Sequence, residues 1–143
     1  MCKVRTLGLD FGSKTVGVAV TDPLGLTAQG VEIIRRQKEN HLRRTFKRIE
    51  ELCAEYDVEK IVLGLPLNMD DTMGDRAEKT LEFKNELERR LSVPVLLVDE
   101  RLTTVEAIEA MDLAGIKRED REKYVDMIAA TIILQDYMYA NES

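Results

Sequence analysis

The chain has 143 residues, 44% apolar and 34% charged, a size that suits one domain burying roughly two-thirds of its unfolded surface. Eight Gly and three Pro, scattered among apolar runs, exclude a fibrous, low-complexity or disordered chain, and no apolar stretch approaches the roughly 20 residues that span a bilayer. Met1 to Arg5 leads straight into a strand-like run rather than a signal sequence, so the sequence predicts a soluble, cytoplasmic protein without a membrane partner. The formal net charge of -6 excludes a uniformly positive coat for nucleic acid but leaves room for a local basic patch. With only Cys2 and Cys53, neither a disulfide framework nor a thiolate zinc site is available, and both read as reduced structural thiols. The single histidine, His41, lies in a basic run, so any catalysis falls to carboxylates.

The elements alternate in type along the chain. Val4 to Phe11 carries Leu7, Leu9 and Phe11 on one side and Gly8 and Asp10 on the other, the period of two of a strand. Thr15 to Thr21 follows after a hairpin-length connection, and Thr27 to Ile34 supplies a third β-rich run, which together predict an antiparallel meander. Asn40 is placed to cap a helix whose Leu42, Phe46, Ile49, Cys53 and Tyr56 recur at three- and four-residue steps. Lys60 to Leu65 reads as a buried parallel strand, followed by a loop from Pro66 to Gly74 and a helix from Asp75 to about Leu91. Val93 to Val98 repeats the buried-strand signature, and the remainder is helical, Thr104 to Leu113 and then about Asp120 to Tyr139. The order predicts one α/β domain spanning residues 1–143, a mixed sheet with its first three strands antiparallel and helices on both faces.

Three acidic positions stand out. Asp10, at the end of the first strand between Gly8 and Gly12, suits a metal-coordinating carboxylate with room beside it, or an Asp that closes a strand-to-turn junction. Asp99 and Glu100 stand where an apolar strand ends, the usual ligand side of an open sheet; they read equally as a solvated loop pair, and only one of them shares a side with Asp10. Asp126 falls inside a helical pattern, with Ala129, Ala130 and Ile133 as its neighbours on one face. A carboxylate there is costly to bury unless a cation or a hydrogen-bond network receives it; the alternative is a helix that starts later, with Asp126 in its first turn.

The stretch LGLDFGSKTVGVAVTDPLG, the loop GLPLNMDDTMGDRA, the strand end VDERLTTVEA and the final DMIAATIILQDYM occur in this order across residues 5 to 138. Together they resemble the YqgF family, also called RuvX-like, of Holliday junction resolvases or pre-16S rRNA nucleases. The resemblance implies an RNase H-like five-stranded mixed sheet and a nuclease, with Asp10, Glu100 and Asp126 as catalytic and metal-binding acids. It also implies site or substrate contacts at Gly12, Lys14, Gly17, Asn68, Arg101 and Thr104. The central loop reads NMDDTMGDR where the family more often has Gly after the first Asp.

Three converging carboxylates repel one another unless a cation offsets their charge, and Mg²⁺ or Mn²⁺ is the natural occupant, two such ions serving phosphodiester cleavage in nucleases of this type. Positive charge for a substrate is concentrated in Arg35 to Arg48, where seven basic residues stand against Glu39 alone. Arg43, Arg44 and Lys47 in that run read either as a track for backbone phosphates or as the solvated face of an amphipathic helix. Aromatic content of 5% with no Trp disfavours base stacking as the main mode of recognition. The expected partner is precursor rRNA or branched DNA, bound by a monomer or homodimer. The competing classes are a nucleic-acid-binding module that does not cut, and a phosphate loop like that of sugar kinases and actin-like ATPases, which needs a second lobe that 143 residues do not supply.

Overall fold

The sheet is built outward from β1 (Arg5–Phe11), whose odd and even residues serve two different layers. The computed structural model describes residues 5–12, 14–23, 27–38, 41–65, 74–99, 109, 112–115, 117 and 121–140. β1 pairs antiparallel with β2 (Thr15–Thr21), which pairs antiparallel with β3 (Ala28–Arg35). On its other side β1 pairs in parallel with β4 (Val58–Leu65), and β4 in parallel with β5 (Val95–Asp99). The order β3-β2-β1-β4-β5 is the mixed sheet expected from the element types, with the first three strands antiparallel.

Helices α1 (Arg43–Glu55) and α2 (Asp75–Arg90) cover one face, and α3 (Arg121–Ala140) covers the other. Under α1 and α2 lies the larger core, in which Leu7, Leu9, Phe11, Ile61 and Leu63 of the strands meet Phe46, Ile49, Leu52, Phe83 and Leu87 of the helices. Under α3 the core is built from smaller pieces, Ala19 and Val62 meeting Ala130, Ile133 and Leu134. In α2, Asp75 and Glu78 sit in the first turn and Arg89 and Arg90 in the last, each sign at the helix end whose dipole it complements.

Helix α1 begins differently from the sequence expectation. Leu42, not Asn40, occupies its N-cap position, with no side-chain cap; Leu42 packs against the core, so an apolar contact anchors the chain's entry. Asn40 itself lies outside the described residues, as does most of the expected helix from Thr104 to Leu113. β4 and β5 are each shifted slightly, starting at Val58 and Val95. Cys53 is a free thiol, pushed up to about 11 chiefly by its burial, as suits a structural residue. Among the described residues no helix is long and apolar enough to cross a membrane.

Candidate active site at the end of β1

A row of small residues seats α3. Gly8 of β1 pairs with Ala19 of β2, and Ala19 with Gly30 of β3. A Cβ on Gly8 would lie 2.9 Å from the Leu134 Cβ and 3.0 Å from the Ala130 carbonyl oxygen, while one on Gly30 would lie 2.8 Å from the Met127 Cγ. Helix and sheet therefore approach as closely as glycine permits. A bulge in β3 contributes, because Val18 pairs with Glu32 and Ala19 with Gly30, leaving Val31 as an extra residue. The alternation is reset there, so Gly30 meets α3 whereas Glu32 meets Arg48 of α1.

Asp10, two residues beyond Gly8 on the same face, is partly buried, and its cross-strand partner is Gly17, which brings no side chain beside the carboxylate. Asp126 stands in α3 one turn before Ala130, which packs on the sheet with Ile133, Leu134 and Tyr137. It is the sixth residue of α3, so the alternative of a first-turn Asp at a late-starting helix does not hold. The helix runs so that Tyr137 meets Lys60 beside Thr6, near the start of β1, and Ala130 and Leu134 cover Gly8. Met127 lies over Gly30 of β3, so the helix crosses the sheet from β4 over β1 toward β3.

On β5, Val98 belongs to the core under α3, the side of Asp10, and Leu97 packs with the core on the opposite side. Asp99 is the last residue of β5, paired with Leu65. Glu100, Arg101, Thr104 and Asn68 lie outside the described residues. The carboxylate of Asp10, an oxygen donor flanked by glycines, is of the type that suits a hard divalent cation. Among the described residues no group of three metal-binding side chains is assembled, Asp10 being the one member of the expected triad whose side chain is described.

Two arginines that the sequence did not single out as a pair fix the end of β1. The Arg36 guanidinium donates through Nη2 to the Gly12 carbonyl oxygen at 2.6 Å, and Arg76 through Nη2 to the Phe11 carbonyl oxygen at 3.1 Å. Both guanidinium carbons lie over the Phe11 ring, 5.0 Å and 4.8 Å from its centroid, and Phe11 stacks on Phe83 at 4.1 Å. Asp10 is thereby mounted on a held backbone. No local signal marks Arg76 for this role, since it reaches β1 across 65 residues.

The basic run divides once folded. Arg43 and Arg44 are exposed and line a cleft of about 730 Å³ with Arg35 and Arg36, at the sheet end where Asp10 stands. Lys14 is exposed on the β1–β2 hairpin, where its carbonyl oxygen accepts the Arg36 backbone N–H at 2.9 Å. Lys47 is exposed on α1 outside the cleft lining. Arg48 is committed elsewhere: it donates to both Glu32 carboxylate oxygens at 2.6 Å and 3.0 Å, and these hydrogen bonds hold its guanidinium charged well above the ordinary arginine range.

A five-stranded mixed sheet in this order, flanked by helices on both faces, with an acid at the end of its central strand, defines an RNase H-like fold of the RuvC type. Two solved structures share it: Thermus thermophilus RuvC in complex with a Holliday junction substrate (TM-score 0.59, 16% identity, 96% of this chain and 95% of that one), and fowlpox virus resolvase with its substrate Holliday junction DNA (TM-score 0.60, 11% identity, 98% and 100%). The chain belongs to the RuvX family, whose model, described as Holliday junction resolvase, matches residues 4–140. Among its relatives, proteins named "Putative pre-16S rRNA nuclease" are 54% identical over 139 residues in Lachnospira eligens (97% of this chain, 99% of that one) and 58% identical over 135 residues in Agathobacter rectalis (94% of each).

Proposed function

We propose that residues 1–143 act as one RNase H-like nuclease domain in the cytoplasm, a metal-dependent endonuclease that hydrolyses phosphodiester bonds of structured nucleic acid, with the 5′ end of pre-16S rRNA as its substrate. The observation that carries this reading is Asp10, mounted at the held end of β1 on the face where α3, the helix that bears Asp126, is seated against Gly8 two residues away.

Asp10, Glu100 and Asp126 are the residues that would hold Mg²⁺ or Mn²⁺, in a two-ion arrangement for which three carboxylates supply the donors. The chemistry bound ions supply is Lewis acidity toward the phosphodiester and activation of water at neutral pH, which a chain whose one histidine is exposed in the basic cleft otherwise lacks. The alternation that puts Val98 on Asp10's side of the sheet supports Glu100, rather than Asp99, as the acid contributed after β5. Arg36 and Arg76 keep the Asp10 backbone in place without contributing to the chemistry. Lys14 and Lys47 are placed to neutralise backbone phosphates beside the cut and Arg43 and Arg44 to neutralise substrate phosphate in the neighbouring cleft, while Asn68, Arg101 and Thr104 are proposed as further substrate contacts.

The test is incubation of the purified protein with labelled pre-16S rRNA and with a four-way DNA junction, each with Mg²⁺, with Mn²⁺ and with chelator. Cleavage of the rRNA precursor that stops with chelator is the expected result. Cutting of the junction alone would make the protein a resolvase, as the family description has it, and binding without cutting in every buffer would make it a non-catalytic module.

A further inference from the structure

We propose that the cleft between the end of β3 and the start of α1 is a pocket for a terminal phosphomonoester, the phosphorylated end of the nucleic-acid strand that the enzyme cuts. The proposal rests on the reading of this chain as a nucleic-acid enzyme, and it adds a site distinct from the acidic one. Four arginines, Arg35, Arg36, Arg43 and Arg44, line the cleft with Gln37, His41 and Leu42, and no acid is among its described lining. A track for internal phosphodiesters needs one positive charge per phosphate along an open surface. Here Arg35, Arg36, Arg43 and Arg44 line a concave space of about 730 Å³, the size of a small-ligand site, and a doubly charged terminal group matches that concentration of positive residues better than a single diester does.

The positive end of α1 adds to this. Leu42 occupies its N-cap position and supplies no side-chain acceptor, and the first intrahelical bond runs from the Phe46 N–H to the Leu42 carbonyl oxygen at 2.9 Å. The N–H groups of Arg43, Arg44 and Thr45 precede that bond, so α-helical geometry gives them no partner within the helix, and Arg43 and Arg44 belong to the cleft lining. The floor is rigid on one side, because Arg36 is held by the Gly12 carbonyl oxygen and by the face of Phe11. Rigid donors favour a small compact anion over a mobile chain that must be ordered on binding.

Position gives the pocket its use. Asp10 pairs with Gly17 and Gly17 with Ile33, so Asp10 and β3 are two strand spacings apart, about 10 Å, and the cleft begins two residues beyond Ile33 at Arg35. The exposed Lys14 lies on the hairpin between them. A strand end seated among the arginines would present a bond a few nucleotides inward to Asp10, which makes the pocket a ruler measured from a phosphorylated end.

The experiment is a binding measurement in chelator, with no cleavage readout, on one short single-stranded RNA prepared with a 5′-phosphate, with a 3′-phosphate, or with hydroxyls at both ends. One of the two phosphorylated strands is expected to bind at least about tenfold more tightly than the hydroxyl strand, the scale of a few added charge-assisted hydrogen bonds, and which one does so fixes the strand polarity. Arg35→Gln with Arg44→Gln, both at exposed positions, is expected to bring the three strands within about twofold of one another at an unchanged melting temperature. If the double variant does not fold, each single variant is expected to shrink the preference at least about threefold. Equal binding of all three strands by the unmodified protein, or a preference that survives in the variants, overturns the proposal. A protein that cuts without discriminating ends refutes the pocket alone, whereas one that discriminates ends but never cuts refutes the nuclease reading and keeps the pocket.

Discussion

On the face covered by α1 and α2, the strands present Leu7, Leu9, Phe11, Ile61 and Leu63; on the face covered by α3, the same strands present Gly8, Asp10, Ala19 and Val62. The first set interlocks with Phe46 and Phe83, whose rings stack at 5.1 Å, and it fills space with large side chains. The second set removes side chains so that a helix backbone descends onto the sheet at Gly8, two residues from the Asp10 carboxylate on the same face. One strand thus carries both a side that fills the core and, one residue apart, the side proposed for the chemistry. The difference teaches that the α3 face exchanges apolar burial for precise placement, and substitutions on the two faces of β1 should separate stability from activity.

The largest separation is expected between neighbours. Asp10→Asn should abolish cleavage, a loss of at least about a thousandfold, while its melting temperature in chelator stays unchanged or rises, because one of several crowded like charges is gone. Leu9→Ala, fully buried on the other face, should cost about 2–5 kcal/mol of stability and retain turnover wherever the protein is still folded. Melting curves in chelator with rates at a permissive temperature check both. An Asp10→Asn protein that melts much earlier would make Asp10 a structural residue and dissolve the distinction between the faces.

The next effect concerns the strand end after β5. Glu100→Gln should lower cleavage at least about a hundredfold and weaken Mn²⁺ binding by calorimetry, whereas Asp99→Asn should cost much less in both assays. The reverse order in both would place Asp99 in the site despite its adjacency to Val98.

This pair also marks how far the sequence could be read. Alternation in β1 was legible because Leu, Leu and Phe on one side and Gly and Asp on the other give opposite signals, and both layers followed from it. The β5 run was not, because Val95 to Val98 is apolar on both sides, and only the packing of Leu97 and Val98 into different cores distinguishes them. The stripe Phe46, Ile49, Cys53 located α1 correctly, yet its start escaped a rule based on polar caps because an apolar contact at Leu42 anchors it instead. In the basic run, composition alone could not separate Arg48, which ties α1 to β3 through Glu32, from Arg43 and Arg44, which face the cleft. The β3 bulge and the reach of Arg76 to Phe11 depend on contacts far apart in sequence and leave no periodic trace.

A smaller effect is expected where the α3 face is tightest. In Gly8→Ala the new methyl meets the Leu134 Cβ at 2.9 Å and the Ala130 carbonyl oxygen at 3.0 Å, neither of which is a side-chain tip that can swing away. The helix itself must lift, at a cost of about 1–3 kcal/mol, and because Asp126 lies one turn from Ala130 the cleavage rate should fall about tenfold in protein that is still fully folded. Rates measured well below the melting temperature separate the two losses. Full activity in the folded variant would show that the height of α3 over β1 does not set the reactive geometry.

The smallest effect belongs to the other glycine of the row, and it tests whether rigidity of the contact, rather than closeness alone, is what matters. In Gly30→Ala the new methyl meets the Met127 Cγ at 2.8 Å and Sδ at 3.0 Å, closer than any contact made at Gly8. Those atoms belong to a thioether side chain with several rotatable bonds, so a rotamer change relieves the clash without moving the helix. Replacing a strand glycine also removes backbone freedom from the unfolded chain, which works in the stabilising direction. The two contributions nearly cancel, and the variant should melt within about 1 kcal/mol of the parent and cut within about threefold of its rate. If Gly30→Ala instead loses as much activity as Gly8→Ala, then α3 is positioned from the β3 side of the sheet through Met127, and the contact of Ala130 with β1 is not what sets the height of the helix that bears Asp126.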